Sequence, residues 1–494
     1  MRTEKRFLAF DLGAESGRAL VGTLDGGRLA MKEIHRFANA PVEACGTLYW
    51  DVLALHSNVL KGIRAYVERF GDSVEGIGID TWGVDFGLLA RDGSLLQNPV
   101  CYRDKRTNGV PEQVLRRIPT DELYRLSGLP ASQIQTLFQL FAVRQSNGAL
   151  LTTADTFLMM PDILAYFLTG EKRCERTNAI STQLYDPRRG TWSQAIFKAC
   201  DLQISIAPEL IDPGTILGEV SDAVKRKTGL KHGRVIAPCT HDTASAVAAV
   251  PGEGDHWAFV SCGTWSVLGA LSDDVTTSPG AQAAGMANEL TLKSFFLCRN
   301  ITGLWVLQQA RAAWRKQGKE YSYEELVRLA EEAPESETLL NIDDPGFLAP
   351  QDMLMAIRGF CLKTRQRPPE GAGSVARCIT ESLALSYRHG IKQLSALLGR
   401  RFDTLNIVGG GSQNRLLCQL AADAAGVKVV AGPVEATAAG NTLVQALACG
   451  CLTSPEQIRE MVRNSSELTA YEPRDHGRWE ERYARYLQQI GLEN

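Results

Sequence analysis

Apolar positions near the start of the chain fall in short runs broken by glycine-containing turns. Arg6 to Phe37, RFLAFDLGAESGRALVGTLDGGRLAMKEIHRF, reads as consecutive antiparallel strands that turn at Leu12–Gly17 and Asp25–Gly27. Val52 to Gly71 then spaces its apolar residues as a helix does. Val74 to Ala90, VEGIGIDTWGVDFGLLA, returns to a buried strand with a hairpin partner. The opening pattern comes back in His256 to Asp274, HWAFVSCGTWSVLGALSDD: strand, Gly/Ser/Thr turn, apolar strand. The likeness is of pattern rather than identity, and it predicts a duplicated domain. Downstream lie the helical Ala376–Arg400, the strand TLNIV with three glycines, a helix over Ser412–Gly426, the strand VKVVAG and a helix over Glu435–Gly450. This alternation predicts an α/β protein. Strand, glycine loop and helix in that order suggest a ligand loop at a helix N-terminus. The expected division is near Val247, into residues 1–246 and 247–494, with a ligand cleft between two similar halves.

Composition narrows the class only a little. The 494 residues are 44% hydrophobic and 22% charged, as in a soluble globular protein, and long enough for a sizeable core. A formal net charge of −3 gives no electrostatic reason to expect nucleic acid or an anionic membrane surface. The run before Asp11 is too short for a signal-peptide core, and no stretch has the length of a membrane span. The twelve cysteines show no CxxC pair and no zinc spacing, which favours a reducing compartment, hence cytoplasm. Cys361 and Cys378 flank one Pro/Gly-rich loop; they are either small buried thiols or a bridge, and thiols are the expectation.

Two common phosphate motifs are missing: there is no GxxxxGK[ST], and no GxGxxG follows a strand. A tight hairpin whose backbone N–H groups converge on an anion is another route. DLGAESGR suits it: Gly13 and Gly17 permit close approach, Ser16 adds a hydroxyl, and Asp11 is placed to orient a hydrated Mg²⁺. An ordinary hairpin is the competing reading. SCGTWS, with Gly263 and Thr264, is a weaker second example, and Gly409–Gly411 could admit a flat ring or a phosphate.

The stretch VIAPCTHDTASAVAAV places His241 and Asp242 among small apolar residues, where an unpaired carboxylate is costly. Asp242 falls near the start of a helix. It is either an N-cap or a general base for phosphoryl transfer, with His241 and Thr243 as hydrogen-bonding neighbours. In GIDTWGVDFGLL, Asp80 and Asp85 flank Trp82 and Gly83, which suits either a sugar or a plain turn. Arg103, Asp104 and Arg106 are most simply a solvated loop. Asn300, Trp305 and Gln308 precede or open a helical stretch, Asn300 being an N-cap or a ligand contact.

Taken in order, AFDLGAESGR, GIDTWGVDFGLL, YRDKRTNG, THDTASAV, SCGTWS, NITGLW, NIVGGGSQN and AGPVEATAAGN resemble the FGGY carbohydrate kinases over about Phe7 to Asn441. GIDTWGVDF and THDTAS are most similar to the branch of that family that acts on L-rhamnulose. The resemblance implies two ribonuclease-H-like domains of the actin and sugar-kinase superfamily around a central cleft. It also implies transfer of the ATP γ-phosphoryl group to the 1-hydroxyl of L-rhamnulose, with Mg²⁺. By the same resemblance Asp242 is the base, while Ala14, Glu15, Ser16, Gly17 and Arg18 form the first phosphate hairpin. Thr264, Gln308, Gly409, Gly410 and Gly411 are further ATP contacts. Gly83, His241, Asp242, Thr243 and Asn300 face the sugar, and Asp11 holds the metal through water. Glu15 departs from the family pattern, where a small polar residue is common. The rival expectations are another ketose, or a conformational ATPase that needs no sugar-hydroxyl base.

Overall fold

Phe7, Leu8, Ala9 and Phe10 are all fully buried in strand β1 (Lys5–Leu12), so both faces of this strand meet core. An unbroken apolar run is what a central strand covered on both sides requires. The computed structural model describes residues 4–491, which cluster as two units. The first comprises residues up to Ala249 with Ser272–Leu297 and Ala436–Ser465; the second comprises Val250–Leu271, Cys298–Glu435 and the remainder from Ser466.

In the first unit, β1 pairs antiparallel with β2 (Ser16–Asp25), which pairs antiparallel with β3 (Arg28–Ala38). On its other side β1 runs parallel to β4 (Ser73–Thr81). The sheet is completed by β5 (Ile216–Glu219) and β6 (His232–Ile236), in the order β5-β6-β4-β1-β2-β3. Helix α1 (Val52–Phe70) starts at Asp51, whose carboxylate accepts the Ala54 N–H at 2.9 Å. It buries Leu55, Val59, Ile63 and Tyr66 towards the sheet. Each such side chain contributes about 1.5–3 kcal/mol. Gly62 permits the approach, since a Cβ there would lie 2.6 Å from the Phe10 ring.

The second unit repeats the plan. Strand β7 (Trp257–Cys262) pairs antiparallel with β8 (Ser266–Ser272) and parallel with β9 (Thr404–Val408). Parallel β10 (Lys428–Ala431) and antiparallel β11 (Thr469–Tyr471) follow. The order β8-β7-β9-β10-β11 thus matches β2-β1-β4-β6-β5 in both sequence and sense. The repeat seen as pattern in the sequence is a repeat of sheet order and strand sense; the edge strand alone differs in connection, β5 preceding β6 along the chain and β11 following β10.

The amphipathic helix His476–Gln489 buries Trp479, Tyr483 and Tyr486, and its Arg482 pairs with the buried Glu381. Cys361 and Cys378 are buried free thiols, as are most of the other cysteines, and no helix among the described residues is long and apolar enough to cross a membrane.

Candidate active site

The stretch Thr240–Thr243 joins the end of β6 to helix α2 (Asp242–Ala248). His241, not Asp242, occupies the N-cap position; Asp242 is the first helical residue. The N-cap reading of Asp242 is therefore one residue off. Its Oδ1 accepts from the Thr243 N–H at 2.5 Å and faces the Thr243 hydroxyl at 3.2 Å, leaving Oδ2 outside this local pairing. The small residues that follow have a packing cause. Helix α3 (Ala436–Ala448) crosses α2 so closely that a Cβ on Gly440 would lie 1.8 Å from the Ser245 carbonyl oxygen.

Thr240 is fixed from two sides. Its carbonyl accepts the Thr81 N–H at 2.9 Å, tying it to the end of β4. Its N–H and hydroxyl both donate to Glu175 Oε2 at 2.8 Å. Glu175, fully buried, also accepts from the Thr177 N–H at 2.8 Å and from the Thr177 hydroxyl. Burial pushes this carboxyl above its usual range, and the four donors hold it down.

Several carboxylates converge here, and exposure separates them. Asp80, Asp85 and Glu175 are fully buried, Asp11 is 13% exposed and Asp242 is 31% exposed. Asp11 and Asp80 are register partners on β1 and β4. Asp11 pairs with Arg18 at 2.5 Å, and Asp80 Oδ2 accepts from the Asn441 amide of α3 at 2.5 Å. Burial raises the Asp80 carboxyl well above its ordinary value, with Asp11 and Asp242 adding like charge. Burial also raises Asp242, opposed by His241 and reinforced by Asp11.

Gly83 sits in the turn after β4. A Cβ there would come 2.8 Å from Ser181 Oγ and 3.5 Å from His241 Nε2, so the missing side chain leaves a recess beside the imidazole. The next residue, Val84, has φ +70°, a strained value for a β-branched residue. It is held by a bond from its N–H to Ser181 Oγ at 3.0 Å and by bonds from Thr136 and Gln139 to its carbonyl. Asp85 beneath the turn is occupied with structure: it accepts from the Trp50 and Trp82 indoles at 2.6 and 2.9 Å and from Gln139 at 3.1 Å. Burial lifts it to about 6. Arg106 donates to Gln139 at 2.6 Å, and the buried Asp104 accepts the Leu48 and Arg106 N–H groups. Asp104 and Arg106 thus belong to this network, which corrects the expectation of a solvated loop; Arg103 does lie on the outside, over the Tyr102 ring.

Both glycine hairpins are closed by a glycine N–H, the second turn being one residue shorter than the first. Gly13 N–H donates to Ser16 O and Gly263 N–H to Trp265 O, both at 2.9 Å. Around Ala14–Arg18, Asn39 braces the turn: its amide donates to Gly13 O at 2.9 Å and its N–H to Glu15 O at 3.0 Å. Gly17 is demanded by Phe37, whose ring would meet a Cβ at 2.3 Å. In the second unit Thr264 and Gln308 come together: the Gln308 amide reaches Thr264 Oγ1 at 3.4 Å, and Trp305 N–H donates to Thr264 O at 2.8 Å. In the Gly409–Gly411 turn, Gly409 has φ +84° and a Cβ on Gly411 would strike Cys262 Sγ at 2.1 Å, whereas one on Gly410 would meet nothing within 4 Å. Asn300 is exposed on the strand Phe295–Ile301, not at a helix cap.

Residues 6–249 match the model of the N-terminal domain, and residues 258–449 that of the C-terminal domain, of the FGGY family of carbohydrate kinases. A rhamnulokinase of Bacteroides thetaiotaomicron is 40% identical over 484 residues, 98% of this chain and 99% of the relative. A rhamnulokinase of Enterococcus faecalis is 38% identical, covering 95% of each. The chain belongs to the FGGY family of carbohydrate kinases. Its fold is that of the two-domain sugar kinases: a gluconate kinase from Lactobacillus acidophilus superposes with a TM-score of 0.80 at 15% identity, covering 99% of this chain and 97% of that one.

This FGGY kinase also uses residues that sequence reasoning passed over. Glu175, Ser181, Gln139 and Glu289 all touch the residues singled out, and none lies in a motif that spacing alone would select; Asn441 closes the quoted AGPVEATAAGN, but its bond to Asp80 was not foreseen. The only available signal was a lone acidic residue in an apolar neighbourhood, as at Glu175 in RCERT.

Proposed function

We propose that this FGGY kinase transfers the γ-phosphoryl group of ATP to the 1-hydroxyl of L-rhamnulose, with Asp242 as the general base. The relatives named rhamnulokinase, 35–40% identical across the chain, support the substrate. The observation that carries the role of Asp242 is its exposure. It is the most open of the carboxylates that converge on the site, and its Oδ1 lies 3.5 Å from His241 Nε2, the atom that borders the recess left by Gly83. A base must come within about 2.6–3.2 Å of the hydroxyl it deprotonates, which the buried carboxylates cannot do.

In this reading Gly83, His241, Thr243 and Asn300 contact the sugar. The Ala14–Arg18 hairpin receives phosphate. Thr264, Gln308 and Gly410 contact ATP, with Gly409 and Gly411 giving the turn its shape. Transfer then depends mainly on positioning, with Asp242 taking the hydroxyl proton as the oxygen attacks phosphorus.

The donor set suits a hydrated Mg²⁺. Asp11 and Asp80 are oxygen donors side by side, and Asp80 Oδ1 is a buried acceptor without a hydrogen-bond partner. Among the described residues no group of three or more acidic, His or Cys side chains forms a closed metal site. Such an ion takes most of its ligands from water and phosphate, with Asp11 holding it through water. When bound, Mg²⁺ neutralises charge on the transferring phosphoryl group. The free thiols favour a cytoplasmic enzyme.

The test is ADP release with Mg²⁺-ATP across L-rhamnulose, L-fuculose, D-xylulose, L-ribulose and glycerol, beside a no-sugar control. A kcat/KM for L-rhamnulose at least about tenfold above the others, some 1.4 kcal/mol of discrimination, supports the reading. Another ketose in front would replace the substrate, and sugar-independent release would replace the activity.

A further inference from the structure

His241 is held between two carboxylates. Its Nδ1 lies 3.1 Å from Glu289 Oε2 and its Nε2 lies 3.5 Å from Asp242 Oδ1. Both the imidazole and the Glu289 side chain are largely buried, at 13% and 14% exposure. Glu289 comes from the strand Ala287–Leu290, in the 272–297 segment that belongs to the first unit. Neither Nδ1 nor Oε2 makes a hydrogen bond among the described residues, so the two buried atoms face each other as charges at 3.1 Å.

The protonation of the ring follows from what faces it. A neutral imidazole has one N–H and one lone pair. With the proton on Nδ1, the Nε2 lone pair would face Asp242; with the proton on Nε2, the Nδ1 lone pair would face Glu289. Only the imidazolium turns no lone pair towards either carboxylate.

We propose that Glu289 is a positioning residue that keeps His241 doubly protonated, with its Nε2–H directed to the recess at Gly83 and to the base Asp242. This rests on the reading of Asp242 as the base beside the sugar. The positive charge of the ring, 3.5 Å from Asp242 Oδ1, keeps Asp242 ionised, the form that accepts a proton, and leaves the single Nε2–H to donate to a sugar oxygen in that recess. Burial disfavours the charge, but Glu289 first, then Asp242 and Glu175, outweigh it and raise His241 to about 9. Glu289 from the strand Ala287–Leu290 and Asp242 from α2 lie against the ring, and the buried Glu175 acts on it from farther away. On the adjoining strand β4, Asp80 couples to Asp11 and Asp242 rather than to the imidazole.

The test pairs kinetics with a direct readout of the ring. For Glu289→Gln, kcat/KM for the sugar should fall at least tenfold more between pH 6 and pH 8.5 than it does in the unmodified enzyme. The loss should lie in the KM for sugar, with the KM for ATP little changed, and Glu289→Asp should restore the original profile. A Gln variant whose pH profile overlays the unmodified one would overturn the proposal even if its melting temperature drops. Histidine labelled with ¹³C at Cε1 settles the matter in the unmodified protein alone, with His241→Asn to assign the resonance among seven histidines. His241 should stay charged to at least pH 8; a neutral ring at pH 7.5 overturns the proposal whether or not the Gln variant folds. Failure of the functional reading looks different: the unmodified enzyme would show no sugar-dependent turnover, or Asp242→Asn would stay active.

Discussion

Glu175 Oε2 holds Thr240 twice, through its backbone N–H and its hydroxyl, both at 2.8 Å. The other oxygen, Oε1, accepts the Thr177 N–H at 2.8 Å. Each carboxylate oxygen therefore faces a backbone donor that cannot turn away. Replacing Glu175 by Gln puts an amide NH₂ against one of these N–H groups in either orientation. The expected cost is about 2–3 kcal/mol, the penalty for an unsatisfied buried donor. Because Thr240 precedes His241 and Asp242, kcat should drop along with the melting temperature. Thermal melts and steady-state rates check both; a variant as stable and as fast as the original would remove Glu175 from this role.

Asp242→Asn keeps the shape of the side chain and its acceptor towards the Thr243 N–H, but it removes the proton acceptor. Loss of a general base costs typically 10²- to 10⁴-fold, so kcat should fall by about 10³. Nucleotide binding, measured by titration calorimetry with ADP, should persist, because the residues proposed to contact ATP, Thr264, Gln308 and the glycine turn, are untouched. Retention of most of the turnover would rule Asp242 out as the base.

How far the sequence exposed this site depends on where each signal lay. The strand and glycine pattern carried the two sheets because period and turn chemistry are local properties: β1 and β7 are buried runs followed by Gly turns, and both were visible as such. Asp242 stood out because a carboxylate among small residues is anomalous. The reason for those small residues was not visible, since Gly440 meets Ser245 across nearly 200 positions of chain. Glu289 was silent for the same reason. ANEL is an unremarkable strand until folding brings it beside His241. Asp85 misled in the opposite direction, as its surroundings of Trp and Gly suggested ligand contact while the indoles themselves consume its oxygens.

The three consecutive glycines should separate by role. Gly411→Ala would drive a Cβ into Cys262 Sγ at 2.1 Å and should destabilise the fold by about 1–3 kcal/mol, as overpacking does. Gly410→Ala meets nothing within 4 Å, so its melting temperature should stay close to that of the original. If ATP lies against this turn, Gly410→Ala should raise the KM for ATP several-fold and leave the KM for sugar alone. An unchanged KM for ATP in a stable Gly410→Ala protein would take the turn out of the nucleotide site.

The His241 pairing also predicts how stability depends on pH. A histidine whose folded-state pKa is raised contributes stability that is fully present below its ordinary value near 6.5. That contribution is lost as pH rises through the folded value, here about 9. The window is therefore about pH 6.5 to 9, and the amount at stake is of order 3 kcal/mol. Comparing the unmodified protein with His241→Asn at a series of pH values cancels the titration of groups common to both. The gap between their melting temperatures should be widest near pH 6 and close steadily towards pH 9.5. Parallel curves across that range would mean that His241 carries no proton that folding holds on to, and the charge assigned to the ring would have to be given up.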